Sequence, residues 1–253
     1  MKEVIEMKKI VNWKTFFFLL AACVVASMLV MPYQIAVNPA LADSGVMLDV
    51  VALIQGLVIF SIATFFGLVL ARKAGFQLPI LEGDEKIKRL KAVLMPSILW
   101  GLLGGALITV CAIPFGDTSL GMFAGELDVP VWARFLAIFY GGIAEEVLLR
   151  LFVMSLLVWV FMKIKMPRNV GIWAAIIIAT VLFGLGHLPL TGEITTITAG
   201  IVARALLLNG IVGIICSLLY WKKGLESAMI AHFSADIIVH FITPLIAGLL
   251  LSA

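Results

Sequence analysis

The chain has 253 residues, of which 63% are hydrophobic and only 13% are charged, and its formal net charge at pH 7 is +3. This composition excludes an ordinary soluble domain, because so much apolar surface needs lipid as its solvent. The small positive charge gives no reason to expect a nucleic-acid partner.

Repeated apolar runs predict membrane-spanning helices. Each run is long enough to cross a hydrocarbon core of about 30 Å, and none has the alternating pattern of a β-barrel strand. In chain order the spans are expected near 15–32, 47–71, 92–113, 131–162, 170–187, 199–221 and 225–251. The step Thr243-Pro244 leaves open whether the last run splits into a helix and a short eighth span. The predicted fold class is all-α, a polytopic transmembrane bundle of seven to eight spans.

Basic residues mark every second connection between these spans. Fifteen of the 18 Lys and Arg residues precede the first span or lie in the second, fourth and sixth connections. The other connections contain acids and no Lys or Arg: Asp43, then Asp117, Glu126 and Asp128, then Glu193. Because short cytoplasmic connections retain positive charge, the N-terminus is predicted to be cytoplasmic. The predicted location is a plasma membrane of the prokaryotic type.

The N-terminus also has features of a signal peptide, namely basic residues, an apolar run and Pro39-Ala40-Leu41-Ala42 before Asp43. An uncleaved first span is the preferred interpretation. Its apolar run is long enough to cross the membrane, and further spans follow it.

Residues 141–150 place two carboxylates and one guanidinium inside an apolar run. A charge near the bilayer centre costs at least about 2.5 to 3.5 kcal/mol on insertion scales, so such groups are usually paired, turned inward and functional. Glu146 and Arg150 are four residues apart and are expected to pair on one helical face. Glu145 then points about 100° away and is free to act as a general base. The alternative is a purely structural role, in which a buried charge cluster only holds helices together.

All three histidines lie in or beside spans that follow this segment. Phe183-Gly-Leu-Gly-His187 ends the fifth span, and its two glycines would admit a close backbone or a substrate. His232, Asp236 and His240 recur every four residues and form one polar stripe on the last span. For His240 alone, helix packing or a proton relay is the preferred interpretation.

Three ordered motifs, Glu-Glu-x-x-x-Arg, Phe-x-x-x-His and His-x-x-x-Asp, together resemble one family. The matching residues are Glu145, Glu146 and Arg150, then Phe183 and His187, then His232 and Asp236. The family is CPBP, the CAAX prenyl protease and bacteriocin-processing intramembrane endopeptidases, also called Abi. The motifs lie within about 130–240, so N-terminal helices are assigned to 1–129 and a CPBP-like core to 130–253. At the third motif the type II CAAX endopeptidases carry Asn where this chain has Asp236.

The resemblance implies an intramembrane endopeptidase. In that interpretation Glu145 and His187 hold and deprotonate the attacking water, and His232 donates toward the developing oxyanion. Glu146 and Asp236 complete the predicted catalytic set, with Asp236 orienting His232 or keeping it protonated, while Arg150 and Phe183 give structural support. The expected substrate is a membrane-associated peptide, either prenylated or carrying a leader sequence.

No cofactor is predicted, and zinc is the alternative. Two histidines and a glutamate are the ligand set of hydrolytic zinc sites, which would make Glu145, His187 and His232 the ligands. No His-Glu-x-x-His pattern supports such a site. The three cysteines lie in apolar runs without metal-like spacing and are predicted to be core or lipid-facing residues: Cys23, Cys111 and Cys216.

Two other classes of function stay open. A proton-coupled transporter or channel would use the stripe of His232, Asp236 and His240 as its relay. A catalytically silent scaffold or immunity protein would not need Glu145.

The residues of the predicted site do not all lie at the same distance from the basic end of their helices if the helices are straight. Straight helices rising 1.5 Å per residue put Glu145 about 27 Å from Lys163 and His187 about 28 Å from Arg168. His232 would be only about 13 Å from Lys223. Tilted, kinked or projecting helices are therefore expected, and the membrane face to which the site opens stays undecided.

Overall fold

The structure is a computed structural model that describes residues 11–253, except for the side chains of residues 43–49. The predicted N-terminal cluster of Lys2, Lys8 and Lys9 lies outside the described residues. The described chain is built of helices: α1 (Trp13–Leu29), α2 (Met31–Val37), α3 (Gly45–Ala74), α4 (Lys86–Ala112), α5 (Gly116–Ala124), α6 (Val131–Phe139), α7 (Ser155–Lys163), α8 (Arg168–Gly186), α9 (Leu188–Ile194), α10 (Ala199–Lys223), α11 (Leu225–Ile237) and α12 (Thr243–Ser252). Three segments are π-helical: Tyr140–Glu145, Val147–Met154 and Ile238–Ile242.

Six helical segments among the described residues are long and apolar enough to cross a membrane. They are Trp13–Val37, Val50–Ala74, Lys86–Asp128, Arg168–Ile194, Ala199–Lys223 and Leu225–Ser252. A seventh long helix runs continuously from α6 through two π-helical segments to α7, and it contains the charged residues of the 141–150 segment. The predicted all-α, polytopic membrane bundle is confirmed, and the protein is an integral membrane protein.

Pro244 does not divide the last span. The helix continues from α11 through the π-helical segment into α12, where Pro244 occupies the first turn. A membrane helix tolerates an internal proline where local π geometry and a Ser or Thr side chain satisfy the freed backbone groups, and Thr243 Oγ1 donates to the Ile238 carbonyl at 3.1 Å. The proposed eighth span is therefore the second half of the continuous segment Leu225–Ser252.

The connections group at two opposite ends of the bundle. At the basic end, Arg168 Nη2 donates to the Ala74 carbonyl at 2.9 Å, and the Leu225 N–H donates to the Gln77 carbonyl at 3.3 Å. At the acidic end, Asn38 Nδ2 donates to Glu193 at 3.2 Å. The alternation of charge predicted from the sequence therefore corresponds to two physical ends of the molecule.

Glycines bring the helices near the site into close contact. A Cβ built on Gly101 of α4 would collide with the Ala231 carbonyl of α11, and one on Gly105 would lie 2.6 Å from Ile238 Cβ. On α8, a Cβ on Gly184 would lie 3.0 Å from Leu206 Cα of α10. Small residues at such crossings allow the van der Waals packing that holds membrane helices together. Many large apolar side chains of the same helices are exposed, as expected for a surface that faces lipid.

Candidate active site

The two glutamates of the first motif lie on the helix that changes from α to π geometry. Glu145 ends the π-helical segment Tyr140–Glu145, and Glu146 separates it from the segment Val147–Met154. π-Helical turns are rare and occur frequently at functional sites. They contain more residues per turn than an α-helix, so the helix advances less per residue. This shortens the path from Glu145 to Lys163 and accounts for part of the depth mismatch in the straight-helix estimate.

Glu146 is the centre of a fully buried charge network. Its Oε1 atom lies 2.9 Å from Arg150 Nη1, so the predicted ion pair is confirmed, and the two side chains are 0% and 1% exposed. The same oxygen accepts a hydrogen bond of 2.7 Å from His232 Nδ1, which was not predicted. Since an ionised carboxylate only accepts hydrogen bonds, this contact fixes the proton on Nδ1 of the imidazole.

Arg150 connects this network to two further helices. Its Nη2 donates to the Gly213 carbonyl of α10 at 3.2 Å. Its guanidinium also stacks over the ring of Phe183 on α8, 4.9 Å from the centroid. Arg150 therefore ties the first motif to the second, which gives a physical reason for both residues in the predicted support role.

The other imidazole nitrogen of His232 faces two more carboxylates. His232 Nε2 lies 3.7 Å from Glu145 Oε2 and 3.6 Å from Asp236 Oδ1, distances slightly longer than direct hydrogen bonds. The Glu145 side chain is 20% exposed and forms no hydrogen bond with any described residue, whereas Glu146 is completely enclosed. The adjacent glutamates therefore have different environments.

Gly141 forms the wall of the site opposite His232. A Cβ at this position would collide with Asp236 Oδ2 and lie 3.2 Å from His232 Nε2. Only a glycine leaves room for both side chains beside this backbone. The position of Gly141, at the start of the segment that contains the two glutamates, is visible in the sequence. The side chains that pack against Gly141 depend on helix packing and are not.

His187 lies across Phe183 from His232. Its Nδ1 donates to the Phe183 carbonyl at 2.8 Å, and its ring meets the Phe183 ring edge-on at 4.8 Å. The Phe183 ring is in turn 5.7 Å from that of His232. Among the described residues, no hydrogen bond or ion pair joins His187 to Glu145. The prediction that these two residues hold a water together stays a prediction.

The residues that could hold a metal differ from the predicted set. Among the described residues, the group with ligand atoms within 4.8 Å of one another is Glu146, Cys216 and His232. Cys216 is buried against the charge network, although it was predicted to be only a core or lipid-facing residue. This group fits a metal poorly, because Glu146 Oε1 and His232 Nδ1 bind each other and Arg150 lies 2.9 Å from the same oxygen.

His240 belongs to a separate cluster near the acidic end. Its Nδ1 lies 2.7 Å from Glu126 Oε2, and Tyr33 donates to Glu126 Oε1 at 3.1 Å. Arg134 Nη1 donates to the backbone carbonyl of His240 at 2.9 Å. Helix packing, one of the two interpretations preferred for His240, agrees with these contacts. The sequence could not identify Glu126 as its partner.

Residues 127–238, somewhat less than half of the chain, match one family model, described as Rce1-like: Type II CAAX prenyl endopeptidase Rce1-like. No curated protein and no solved structure matches the chain significantly. The matched segment contains all three motifs and the charge network of Glu146, Arg150 and His232. The match supports a CAAX-type intramembrane protease in general terms. The resemblance predicted from the motifs is thereby confirmed: residues 127–238 are similar to the type II CAAX prenyl endopeptidases of the Rce1-like family.

Proposed function

We propose that the protein is an intramembrane endopeptidase that hydrolyses a peptide bond with a water activated by Glu145. The observation that carries this proposal is the unequal environment of the two adjacent glutamates. Glu146 is enclosed and bound to Arg150 and His232, whereas Glu145 is partly exposed, has no hydrogen bond with a described residue and faces His232 Nε2 at 3.7 Å. A carboxylate left free beside an oriented imidazole is suited to general-base catalysis.

In the proposed reaction Glu145 removes a proton from the water as its oxygen attacks the scissile carbonyl carbon. Protonated His232, held through Nδ1 by Glu146, donates a hydrogen bond from Nε2 to the developing oxyanion. When the tetrahedral intermediate collapses and the C–N bond breaks, the proton on Glu145 passes to the leaving amine. Glu145 is then ionised again and no proton is lost or gained by the site.

Two further residues have positioning roles in this proposal. Asp236 Oδ1, at 3.6 Å from His232 Nε2, adds a third carboxylate beside the imidazole. His187 Nδ1 donates a hydrogen bond to the Phe183 carbonyl. The Nε2 atom of His187 is therefore the one available to a water shared with Glu145. Since no direct contact joins His187 to Glu145, that water would bridge them.

A membrane-associated peptide is the proposed substrate class, with the bilayer as its medium and no nucleic acid involved. A Cβ at Gly186, next to His187, would meet no atom within 4 Å, so there is open space beside this part of the site. A prenylated C-terminal motif and a leader peptide both fit this description. The proposed location is a plasma membrane of the prokaryotic type with the N-terminus in the cytoplasm.

The central test is Glu145→Gln. We expect cleavage to fall by about 10² to 10⁴-fold while the protein stays folded, because the general base is lost and the buried Glu146–Arg150 pair stays intact. Comparing protein termini in cells expressing wild type or the variant identifies the substrate, and purified proteins then give the rates. Glu126→Gln is the matched control, since it makes the same change at the other His–carboxylate pair. Cleavage by Glu145→Gln above a tenth of the wild-type rate would exclude the proposed base.

We also propose that cleavage needs no metal. A cation bound by Glu146, Cys216 and His232 would have to separate Glu146 from His232 beside the Arg150 guanidinium. Exhaustive chelation is therefore expected to leave the cleavage rate unchanged. One copurifying zinc per chain, with activity lost on its removal and restored on its return, would contradict this expectation.

A further inference from the structure

The connections at the basic end of the bundle enclose a cavity remote from the charge network. Its volume is about 400 Å³, within the range of small-molecule sites. It lies between the loop that follows α3, the first turns of α4 and the last turn of α10. The lining residues are Gly75, Phe76, Gln77, Pro79, Arg89, Ala92, Val93, Tyr220, Trp221, Lys222, Lys223 and Gly224.

Specific contacts hold the walls of this cavity in place. The buried Glu226 carboxylate accepts hydrogen bonds from the Ile80 and Leu81 N–H groups at 2.9 and 2.7 Å. Gly224 has φ +104°, and a Cβ there would collide with Pro79 Cδ, so glycine is required for the loop to pack on the end of α10. The cavity is therefore formed in advance of any ligand.

Positive charge in this cavity is not neutralised by the protein. Neither Arg89 nor Lys223 has an ion pair with a carboxylate in the part of the chain that the structure describes. Three acids of this end bind other groups: Glu82 binds Arg72 at 2.7 Å, Glu85 binds Lys88 at 3.2 Å, and Glu226 binds backbone N–H groups. A planar guanidinium and an ammonium at the rim of one cavity are donors suited to a phosphate.

The aromatic and basic residues beside the cavity are of the kind found at the level of the lipid headgroups. Lys222 Nζ lies 3.4 Å from the centroid of Trp221, and Trp221 meets Trp173 edge-on at 6.2 Å. At the same end, Lys73 and Lys163 both lie over Trp159, at 5.9 and 5.6 Å. Tryptophan beside lysine is typical of the membrane interface.

We propose that this cavity binds the phosphate of an anionic phospholipid headgroup. Arg89 and Lys223 contact the phosphate, and Lys222 and Trp221 form the side next to the bilayer. The basic end is the predicted cytoplasmic end, where anionic lipids give the membrane surface its negative potential. A lipid phosphate is the favoured source because the bilayer holds it at the depth of the cavity, and the binding is independent of the proposed protease activity.

Native mass spectrometry of the full chain in detergent tests the proposal. The probes are phosphatidylglycerol, phosphatidylcholine with identical acyl chains, and glycerol 3-phosphate as the soluble phosphate. We expect one saturable phosphatidylglycerol site of at least about tenfold higher affinity than for phosphatidylcholine. Equal affinity for the two lipids overturns the proposal. Competition by glycerol 3-phosphate at the same concentration as phosphatidylglycerol overturns the lipid as the source.

Two variants and a control locate the binding. Arg89→Gln/Lys223→Gln is expected to weaken phosphatidylglycerol binding by about 30-fold. Ala92→Phe fills the cavity without changing charge and is expected to abolish the site. The control Lys86→Gln/Lys163→Gln removes two cations from the same end outside the cavity and should change the affinity less than about twofold. Equal loss in the control, or full binding by Ala92→Phe with an unchanged melting temperature, refutes the assignment.

Discussion

His232 and His240, on the same continuous helical segment, each face a carboxylate with Nδ1 at 2.7 Å, yet their surroundings differ. At His240, the partner Glu126 uses its second oxygen to accept from Tyr33. At His232, the partner Glu146 is wholly buried, and the other imidazole nitrogen faces Glu145 and Asp236. A histidine–carboxylate pair is thus common to both clusters, and only the cluster around His232 leaves a further carboxylate available for chemistry.

Replacing each histidine with alanine tests this difference most strongly. His232→Ala is expected to reduce cleavage by about 10² to 10⁴-fold, since it removes the proposed oxyanion donor. His240→Ala should leave the rate within an order of magnitude of wild type, because its ring binds Glu126 and has no hydrogen bond or ion pair with Glu145 or Glu146 among the described residues. The measurement is the cleavage rate per folded protein. If His240→Ala were the more damaging change, the stripe would be acting as a relay, and proton flux into liposomes should then be measured.

Two of the buried arginines, Arg150 and Arg134, lie beside the two clusters and allow a comparison of their stability. Arg150→Met removes the guanidinium from the buried Glu146 carboxylate and leaves His232 as its remaining partner, and breaking such a buried pair costs about 3 to 5 kcal/mol. Arg134 has no ion pair with a carboxylate among the described residues and donates to the His240 carbonyl, so Arg134→Met should cost less. Thermal melts in detergent compare the two variants. Equal melting temperatures would mean that the Glu146–Arg150 pair does not stabilise the fold.

Asp236→Asn is expected to have the smallest effect of these changes. Glu146 makes the short hydrogen bond to His232, whereas Asp236 lies 3.6 Å from the other nitrogen. The amide occupies the same space beside Gly141 and is the residue found in the type II CAAX endopeptidases that the chain resembles. Cleavage rates of the variant and wild type, measured side by side, should agree within an order of magnitude. A loss as large as that of Glu145→Gln would assign Asp236 a direct part in the reaction.

The sequence predicted those features that depend on the spacing within one helix. The Glu146–Arg150 pair was predicted from a separation of four residues on one helix. The membrane spans were predicted by comparing the lengths of the apolar runs with the thickness of the bilayer. The charge pattern of the connections likewise predicted the two ends of the bundle. The catalytic roles assigned to Glu145, His187, His232 and Asp236, and the division of the chain near residue 130, stay predictions.

Partners on different helices could not be predicted. The hydrogen bond from His232 to Glu146, the place of Cys216 beside them and the pairing of His240 with Glu126 all depend on how helices rotate and cross. Those rotations are set by close contacts such as Gly101 against Ala231, which a single sequence does not specify. The same reason explains why the position of Phe183 between the rings of His187 and His232 could not be predicted.

The π-helical segments of the helix from Val131 to Lys163 depend on the number of residues in that helix as well as on their identity. A π turn is an α-helix that contains an extra residue, and each residue in an α-helix rotates the following side chains by about 100°. Deleting one residue between Val147 and Met154 would let that turn relax to α geometry. The angle between Glu146 and Arg150 would change with that turn, whereas residues beyond Met154 would keep nearly their original faces, because the deleted residue is the one that the π turn accommodates. This stretch should therefore accept conservative substitutions far more readily than insertions or deletions of a single residue, even at positions whose side chains face only lipid.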